Sequence, residues 1–296
     1  MSEDASANAA MEAFIAHRNL LFTVAYEMLS SAADAEDVLQ ETWLRWADVD
    51  FATVRDARAY LVRMTTRQAL NRVRTLSRRR ESYVGPWLPE PLITAPDVAA
   101  DVELAESVSI AMLTVLETLG PAERAVFVLR EVFDMPYDEI AAAVDKSVPA
   151  VRQIANRARQ HVAARRPRMN VTQTEQQEVL DRFLTVLTTG DVQALMDVLA
   201  PDVVVVSDGG GEVHAARRPI EGLQLVAVAL SRFAQIAPGA DIARVLVNGM
   251  PGAKINFAGQ RAAVSVTVEG GKITKIYVIA NPHKLARLDA ETALAR

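Results

Sequence analysis

The apolar periodicity of this chain changes once along its length, and that change constrains its folding more than any other feature. From about residue 10 to 166 apolar side chains recur every three to four positions: Phe14, Leu20, Leu21, Val24 and Met28; Val38, Leu39, Trp43, Leu44 and Trp46; Tyr60, Leu61 and Met64. Such spacing lines up on one stripe of an α-helix. Beyond residue 200 the runs alternate or are β-branched: VVVVS within 202–207, DIARVLVN at 241–248, AKINFA at 253–258, RAAVSVTVE at 261–269 and KITKIYVIA at 272–280. These predict strands, with Asn248-Gly249 and Gly270-Gly271 as turns.

Two breaks set the domain limits. Gly85, Pro86, Pro89, Pro91 and Pro96 interrupt the helical pattern between Tyr83 and Ala99, which predicts an extended linker. After Arg166 and Pro167 a polar stretch leads into helices predicted at 175–189 and 192–200, and a further helix at 220–236 lies among the strands. The chain is therefore expected to be multidomain. Two all-α helical domains occupy 10–82 and 101–167, the second ending in a helix-turn-helix, with the linker at 83–100. An α+β cone, one sheet wrapped around helices, occupies 172–290. No internal repeat is visible.

Composition limits the chemistry. Cysteine is absent, which removes disulfides, thiolate zinc sites and thiol nucleophiles and fits a reducing cytosol. His17, His161, His214 and His283 have no metal-ligand spacing, so no metal and no cofactor is expected. The N-terminal residues lack a signal-peptide pattern, and no window reaches the roughly 18 apolar residues of a membrane span, so a cytoplasmic protein without a membrane partner is expected.

The net charge is -5, yet the arginines are concentrated. Arg55, Arg58, Arg63, Arg67, Arg72, Arg74, Arg78, Arg79 and Arg80 stand against Asp56 and Glu81 alone, and 148–168 carries Arg152, Arg157, Arg159, Arg165, Arg166 and Arg168 with no acid. Two basic segments in an acidic chain suggest two localised phosphate contacts, since each neutralised phosphate releases counterions.

Three motifs carry the chemistry. YDEIAAAVDKSVPAVRQIANRAR, from Tyr137 to Arg159, reads as a helix-turn-helix: Ile140, Ala141 and Val144 inward, a turn at Asp145, Ser147 as cap and Pro149 in a first turn. Val151, Ile154 and Ala158 would be buried, leaving Arg152, Gln153, Asn156, Arg157 and Arg159 for base edges and phosphates. A plain helical hairpin with a basic face fits the pattern equally well. DAEDVLQETWLRW, from Asp34 to Trp46, gathers Asp37, Gln40 and Glu41 into an acidic patch, suited to arginines of a protein partner or simply to water. YLVRMTTRQALNRVRTLSRRR is basic along its length, as holding a melted DNA strand requires.

Together these motifs resemble the extracytoplasmic-function (ECF) RNA polymerase sigma factors over 11–166, and LGPAERAVFVLREVFDMPYDEIAAAV resembles that family's entry to its minus-35-binding domain. The resemblance implies that core RNA polymerase and promoter DNA are the partners and that the chain is no enzyme. It implies that Asp37, Gln40 and Glu41 contact polymerase, that Arg63, Arg67, Asn71 and Arg74 lie at the minus-10 element, and that Arg152, Gln153, Asn156 and Arg157 read the minus-35 element.

WLPEP at 87–91, DGGGE at 208–212 and NPHKL at 281–285 resemble the marks of a subgroup carrying a fused SnoaL-like domain. There the glycine motif commonly ends in lysine and the tail motif carries an acid, so Glu212 and His283 depart from the pattern. An interdomain regulatory contact is expected among Trp87, Leu88, Pro89, Pro91, Asp208, Gly209, Gly210, Gly211, Asn281 and Pro282, with the stiff apolar WLPEP docking on a glycine loop of little side-chain bulk. The cone would also enclose a cavity for a small-molecule ligand. Two other functions fit parts of the sequence: a fused cyclase- or isomerase-like enzyme using Asp202, Asp208 or His214, and a repressor that binds DNA without polymerase, which leaves the DAEDVLQE helix no task.

Overall fold

The computed structural model describes residues 3–80, 82–166 and 171–296, with the side chains of 3–6 and 77–80 outside that description. The expectations resting on the Arg78, Arg79 and Arg80 side chains, and on Glu81, Pro167 and Arg168, lie outside the described residues. The chain divides into two compact units, one of 3–80, 115–166 and 293–296, the other of 82–114 and 171–292.

The first unit is helical. Helices α1 (Glu3–Leu29), α2 (Ala32–Ala47) and α3 (Ala57–Arg80) pack on one another. Ser31 starts α2 by accepting a hydrogen bond from the Asp34 N–H at 3.2 Å. The Trp46 ring is fully buried, its indole N–H donating to the Ala10 carbonyl at 2.8 Å, so the largest apolar side chain of α2 is also polar-satisfied.

This unit also contains the α-helices α7 (Pro121–Phe127), α8 (Tyr137–Val144) and α9 (Val148–Ala163). The turn between α8 and α9 forms as its residues predict. Asp145 closes α8 at φ 55°, and Ser147 caps α9, which has a proline in its first turn. Arg124 of α7 is buried among α1 groups: it donates to the Glu27 carbonyl at 2.7 Å and to the Ser30 hydroxyl at 2.5 Å, and pairs with Glu117. Burial pulls its pKa down to about 9, while the Glu27 charge acts in the opposite direction.

The second unit is built on an eight-stranded sheet. Its strands are β1 (Ile93–Thr94), β2 (Leu199–Asp208), β3 (Ile220–Glu221), β4 (Asp241–Val247), β5 (Met250–Phe257), β6 (Gln260–Glu269), β7 (Lys272–Ile279) and β8 (Glu291–Thr292), in the order β3-β2-β7-β6-β5-β4-β1-β8. The β2–β7 and β1–β8 pairs are parallel and the others antiparallel. Helices α10 (Gln173–Thr189), α11 (Val192–Val198) and α12 (Leu223–Ile236) cover one face, where Leu180, Phe183, Val203, Val205, Val226 and Ile276 form the core. This is the wrapped sheet expected from the alternating runs.

The opposite face is covered partly by residues that the periodicity assigned to the linker and the second helical domain. Leu88, Ile93, Ile110, Ala111, Leu285 and Leu288 pack there against Val247, Tyr277 and Ile279. The proline-rich segment is therefore part of this unit: it supplies β1 to the sheet and then α4 (Pro96–Ala100), and it is followed in the same unit by α5 (Val102–Val108) and the start of α6 (Ile110–Leu116), which the sequence placed with the second helical domain. Burying Leu88, Leu92 and Ile93 contributes about 1.5–3 kcal/mol each, which explains why the chain gives up an open linker here. Among the described residues no helix is long and apolar enough to cross a membrane.

Candidate functional site

Helix α9 leaves exposed the residues that the sequence placed on a DNA-reading face. Val151, Ile154, Ala155, Ala158 and Val162 are buried, and Arg152, Gln153, Asn156 and Arg157 are all exposed. The Arg152 guanidinium lies 5.6 Å from the Tyr137 ring centroid, which restricts its swing, and Arg159 approaches Glu131 at 3.7 Å.

On α3, Arg63, Arg67, Asn71 and Arg74 fall four, four and three residues apart and so share one face. Arg63 stacks over Tyr60 at 4.7 Å, and Arg74 approaches Asn71 at 3.5 Å. Arg67 donates to the Ala142 carbonyl of α8 at 2.7 Å, so this side chain is already engaged within the helical unit. Sequence reasoning had no signal for that contact, which joins residues 75 apart.

On α2, Asp37, Gln40 and Glu41 are all exposed. Asp37 is held by Arg72 of α3, which also binds Asp34 at 2.8 Å. The Asp34 hydrogen bond is the main reason the Arg72 pKa is raised. A cleft of about 390 Å³ beside Gln40, lined by Phe14, Leu39, Trp43 and Leu44 among others, gives this acidic face an apolar neighbour.

The three motifs of the second unit converge on one carboxylate. Asp208, at the end of β2, is 0% exposed. Its Oδ1 accepts from the Tyr83 hydroxyl at 2.5 Å and from the Gly210 N–H at 3.1 Å; its Oδ2 accepts from the Leu88 N–H at 2.8 Å and the Lys284 ammonium at 2.7 Å. Lys284 also donates to the Leu88 carbonyl and lies 3.9 Å from the Trp87 ring centroid. The Asn281 amide donates to the Tyr83 hydroxyl at 2.7 Å. A buried charge is tolerable when paired and fully hydrogen-bonded, and this one meets both conditions. Tyr83 is pushed well above the ordinary phenol pKa, first by burial and then by its bond to the Asp208 carboxylate.

Of the predicted motif residues, Asp208, Leu88, Trp87, Gly210 and Asn281 make the contacts of this clasp. Leu88, Pro89 and Pro91 are buried and Trp87 half-buried, while Pro282 is exposed and opens the 3-10 turn that carries Lys284. Gly210, at φ 62°, lies so close to Asn281 that a Cβ would sit 2.3 Å from its amide nitrogen. At Gly209 a Cβ would meet the Val213 carbonyl at 2.7 Å, and at Gly211 it would meet Val84 at 3.2 Å. The glycines are needed for close approach. The two departures from the subgroup pattern lie near each other at the surface, His283 Nε2 standing 4.0 Å from Glu212 Oε1. Sequence reasoning missed Tyr83 and Lys284 as clasp residues. The signal for Lys284 was its place in the NPHKL motif, whereas a lone tyrosine at a linker start carries none.

The candidate catalytic groups fare differently. Asp208 is saturated by four donors, and Asp202 and His214 are exposed. A cavity of about 530 Å³ adjoins the clasp, lined by Val84, Ser207, Gly209, Val213, His214 and Arg217 among others.

Comparison with known proteins gives the same assignment. Residues 13–79 match the family described as Sigma-70 region 2, and residues 109–162 match Sigma-70, region 4. The chain is 36% identical over 286 residues to the ECF RNA polymerase sigma factor SigJ of Mycobacterium tuberculosis, covering 92% of this chain and 91% of that protein. It is 32% identical over 285 residues to the probable ECF RNA polymerase sigma factor SigI of the same organism, covering 94% and 96%. The crystal structure of M. tuberculosis SigJ superposes with a TM-score of 0.77 at 33% identity, covering 94% of this chain and 98% of that one. The chain belongs to the extracytoplasmic-function RNA polymerase sigma factors.

Proposed function

We propose that the chain binds core RNA polymerase through Asp37, Gln40 and Glu41 of α2, holds the minus-10 strand along Arg63, Arg67, Asn71 and Arg74 of α3, and reads the minus-35 element with Arg152, Gln153, Asn156 and Arg157 of α9. A sigma factor directs promoter-specific initiation and leaves RNA synthesis to polymerase, so no catalytic role is assigned to the C-terminal domain. Instead that domain regulates in cis, by holding the segment that joins the two sigma regions. The observation that carries this reading is the buried Asp208, which binds the linker backbone at Leu88, the linker side chain Tyr83 and the tail residue Lys284 at once. A small molecule in the adjoining cavity would touch both the linker at Val84 and the glycine loop, and so would act on the clasp directly.

The experiment is transcription in vitro by core polymerase with the full chain or with Trp87→Ala or Asp208→Asn. The reading expects both variants to change transcript yield in the same direction. Unchanged yield from both would refute cis regulation and leave the C-terminal domain a passive partner of the linker.

A further inference from the structure

Asn248-Gly249 joins β4 to β5, and Asn-Gly suits a two-residue hairpin turn because both central positions need positive φ. Asn248 stands at φ 54° and Gly249 at φ 72°. At the tip of an exposed hairpin such an asparagine would point into water; here it is 0% exposed. Both ends of its amide serve distant backbone: Oδ1 accepts from the Leu92 N–H at 2.9 Å, and Nδ2 donates to the Val108 carbonyl at 2.8 Å. The Asn248 N–H donates to the Leu92 carbonyl at 2.8 Å, and the Gly249 N–H to the Thr94 hydroxyl at 2.9 Å. A Cβ at Gly249 would meet the Ala105 Cα of α5 at 2.7 Å.

One turn therefore grips the end of the linker at Leu92 and Thr94, and α5 at Ala105 and Val108. Val108 is the residue immediately before the region 4 match, which begins at 109, and Ile110 and Ala111 just beyond it lie in the core on the linker-covered face. We propose that Asn248 is a second pin, separate from the Asp208 clasp, through which the C-terminal domain sets the position of the entrance to region 4. Because a single rigid side chain bonds both Leu92 and Val108, a shift of the turn moves the end of the linker and the start of region 4 together. Asn248 is thus a positioning residue for promoter recognition. The inference rests on the cis-regulatory reading above.

The test uses the full chain carrying Asn248→Gly or Asn248→Asp, with Asp208→Asn in parallel. Glycine accepts the positive φ, so the turn survives without either side-chain bond. Aspartate keeps the acceptor for Leu92 but opposes the Val108 carbonyl with a second acceptor, and so removes that contact alone. Hydrogen exchange across 104–114 is expected to speed up in both variants on the order of fivefold or more, the ratio that one net hydrogen bond gives. The Leu92 amide is expected to speed up only in Asn248→Gly, and transcript yield to change in both. Unchanged exchange over 104–114 overturns the pin. Faster exchange with wild-type transcription overturns it too, by reducing Asn248 to a strut of the fold. Should Asp208→Asn alter transcription while the Asn248 variants do not, the pin fails and the clasp stands; if none of the three does, the cis-regulatory reading fails with it.

Discussion

Replacing Asp208 by asparagine keeps the side-chain volume and removes the charge on which the clasp converges. Four donors bind that carboxylate: the Tyr83 hydroxyl, the N–H groups of Leu88 and Gly210, and the Lys284 ammonium, whose side chain is only 12% exposed. An asparagine can present one acceptor oxygen, and its NH2 group must then face donors. Removing one partner of a buried ion pair costs about 3–5 kcal/mol, mostly because the other charge is left unpaired. For a domain of this size each kcal/mol lowers Tm by roughly 2–4 °C, so the C-terminal unit should melt on the order of 10 °C below wild type. Lys284 keeps its contact with the Trp87 ring, worth about 1 kcal/mol, which sets the lower end of the range. Differential scanning calorimetry of the full chain reads the shift, and limited proteolysis between Tyr83 and Leu92 reads whether the linker has come free. A variant melting within about 2 °C of wild type, with the linker still protected, would refute the reasoning that the carboxylate holds this segment, since even the weakest estimate exceeds it.

Three further outcomes follow from the same structure. Arg124→Met should destabilise the helical unit by about 3–5 kcal/mol, because Glu117 and the Glu27 carbonyl lose a buried donor; urea unfolding with a midpoint equal to wild type would contradict this. Tyr83 and Tyr277 both hold their protons more tightly when folded, Tyr277 through burial. A phenol with a raised folded pKa stabilises fully below the unfolded value of about 10 and loses that contribution as pH climbs past it. Stability of the C-terminal unit should therefore be unaffected by these phenols below about pH 10 and fall continuously as the pH rises above it toward their raised folded values, and Tyr83→Phe should flatten part of that fall; an identical pH profile would refute the assignment. Arg157→Ala should weaken promoter binding by about 1–3 kcal/mol if it contacts a base, and reduce the salt slope if it contacts a phosphate. Fluorescence anisotropy at several salt concentrations separates the two, and unchanged binding would remove Arg157 from the interface.

What the sequence made legible was local. Helix periodicity, the Ser147 cap, the left-handed Asp145 and the alternating strands are all written in neighbouring residues, and the structure has them within a few positions. The exposed faces of α2 and α9 follow from the same periodicity, because burying Val38 and Trp46, or Val151 and Ile154, leaves the opposite side to polar groups. The docking of WLPEP on the glycine loop was expected, but the strand and helix that the linker also forms, β1 and α4, were not, because proline and glycine argue against helix and internal strand pairing. The linker's bonds to Asp208 and Asn248 span 120 and 156 residues, and contacts of that range leave no periodic trace. For the same reason the two-residue strands β1, β3 and β8 had no signature of their own: each exists only through a partner strand already in place. Asn248 was legible as a turn residue, but its second task depends on what lies beneath the turn.

The measurement that bears most directly on the whole account is run-off transcription with core RNA polymerase, with the full chain present or absent, on a promoter selected by binding to it. The expected result is a transcript from a defined start site that core enzyme alone does not make, that Arg152→Ala with Arg157→Ala abolishes, and whose yield shifts in Asp208→Asn. A chain that binds the selected DNA yet gives no transcript with active core enzyme would contradict it, and would make the protein a DNA-binding regulator that works without polymerase.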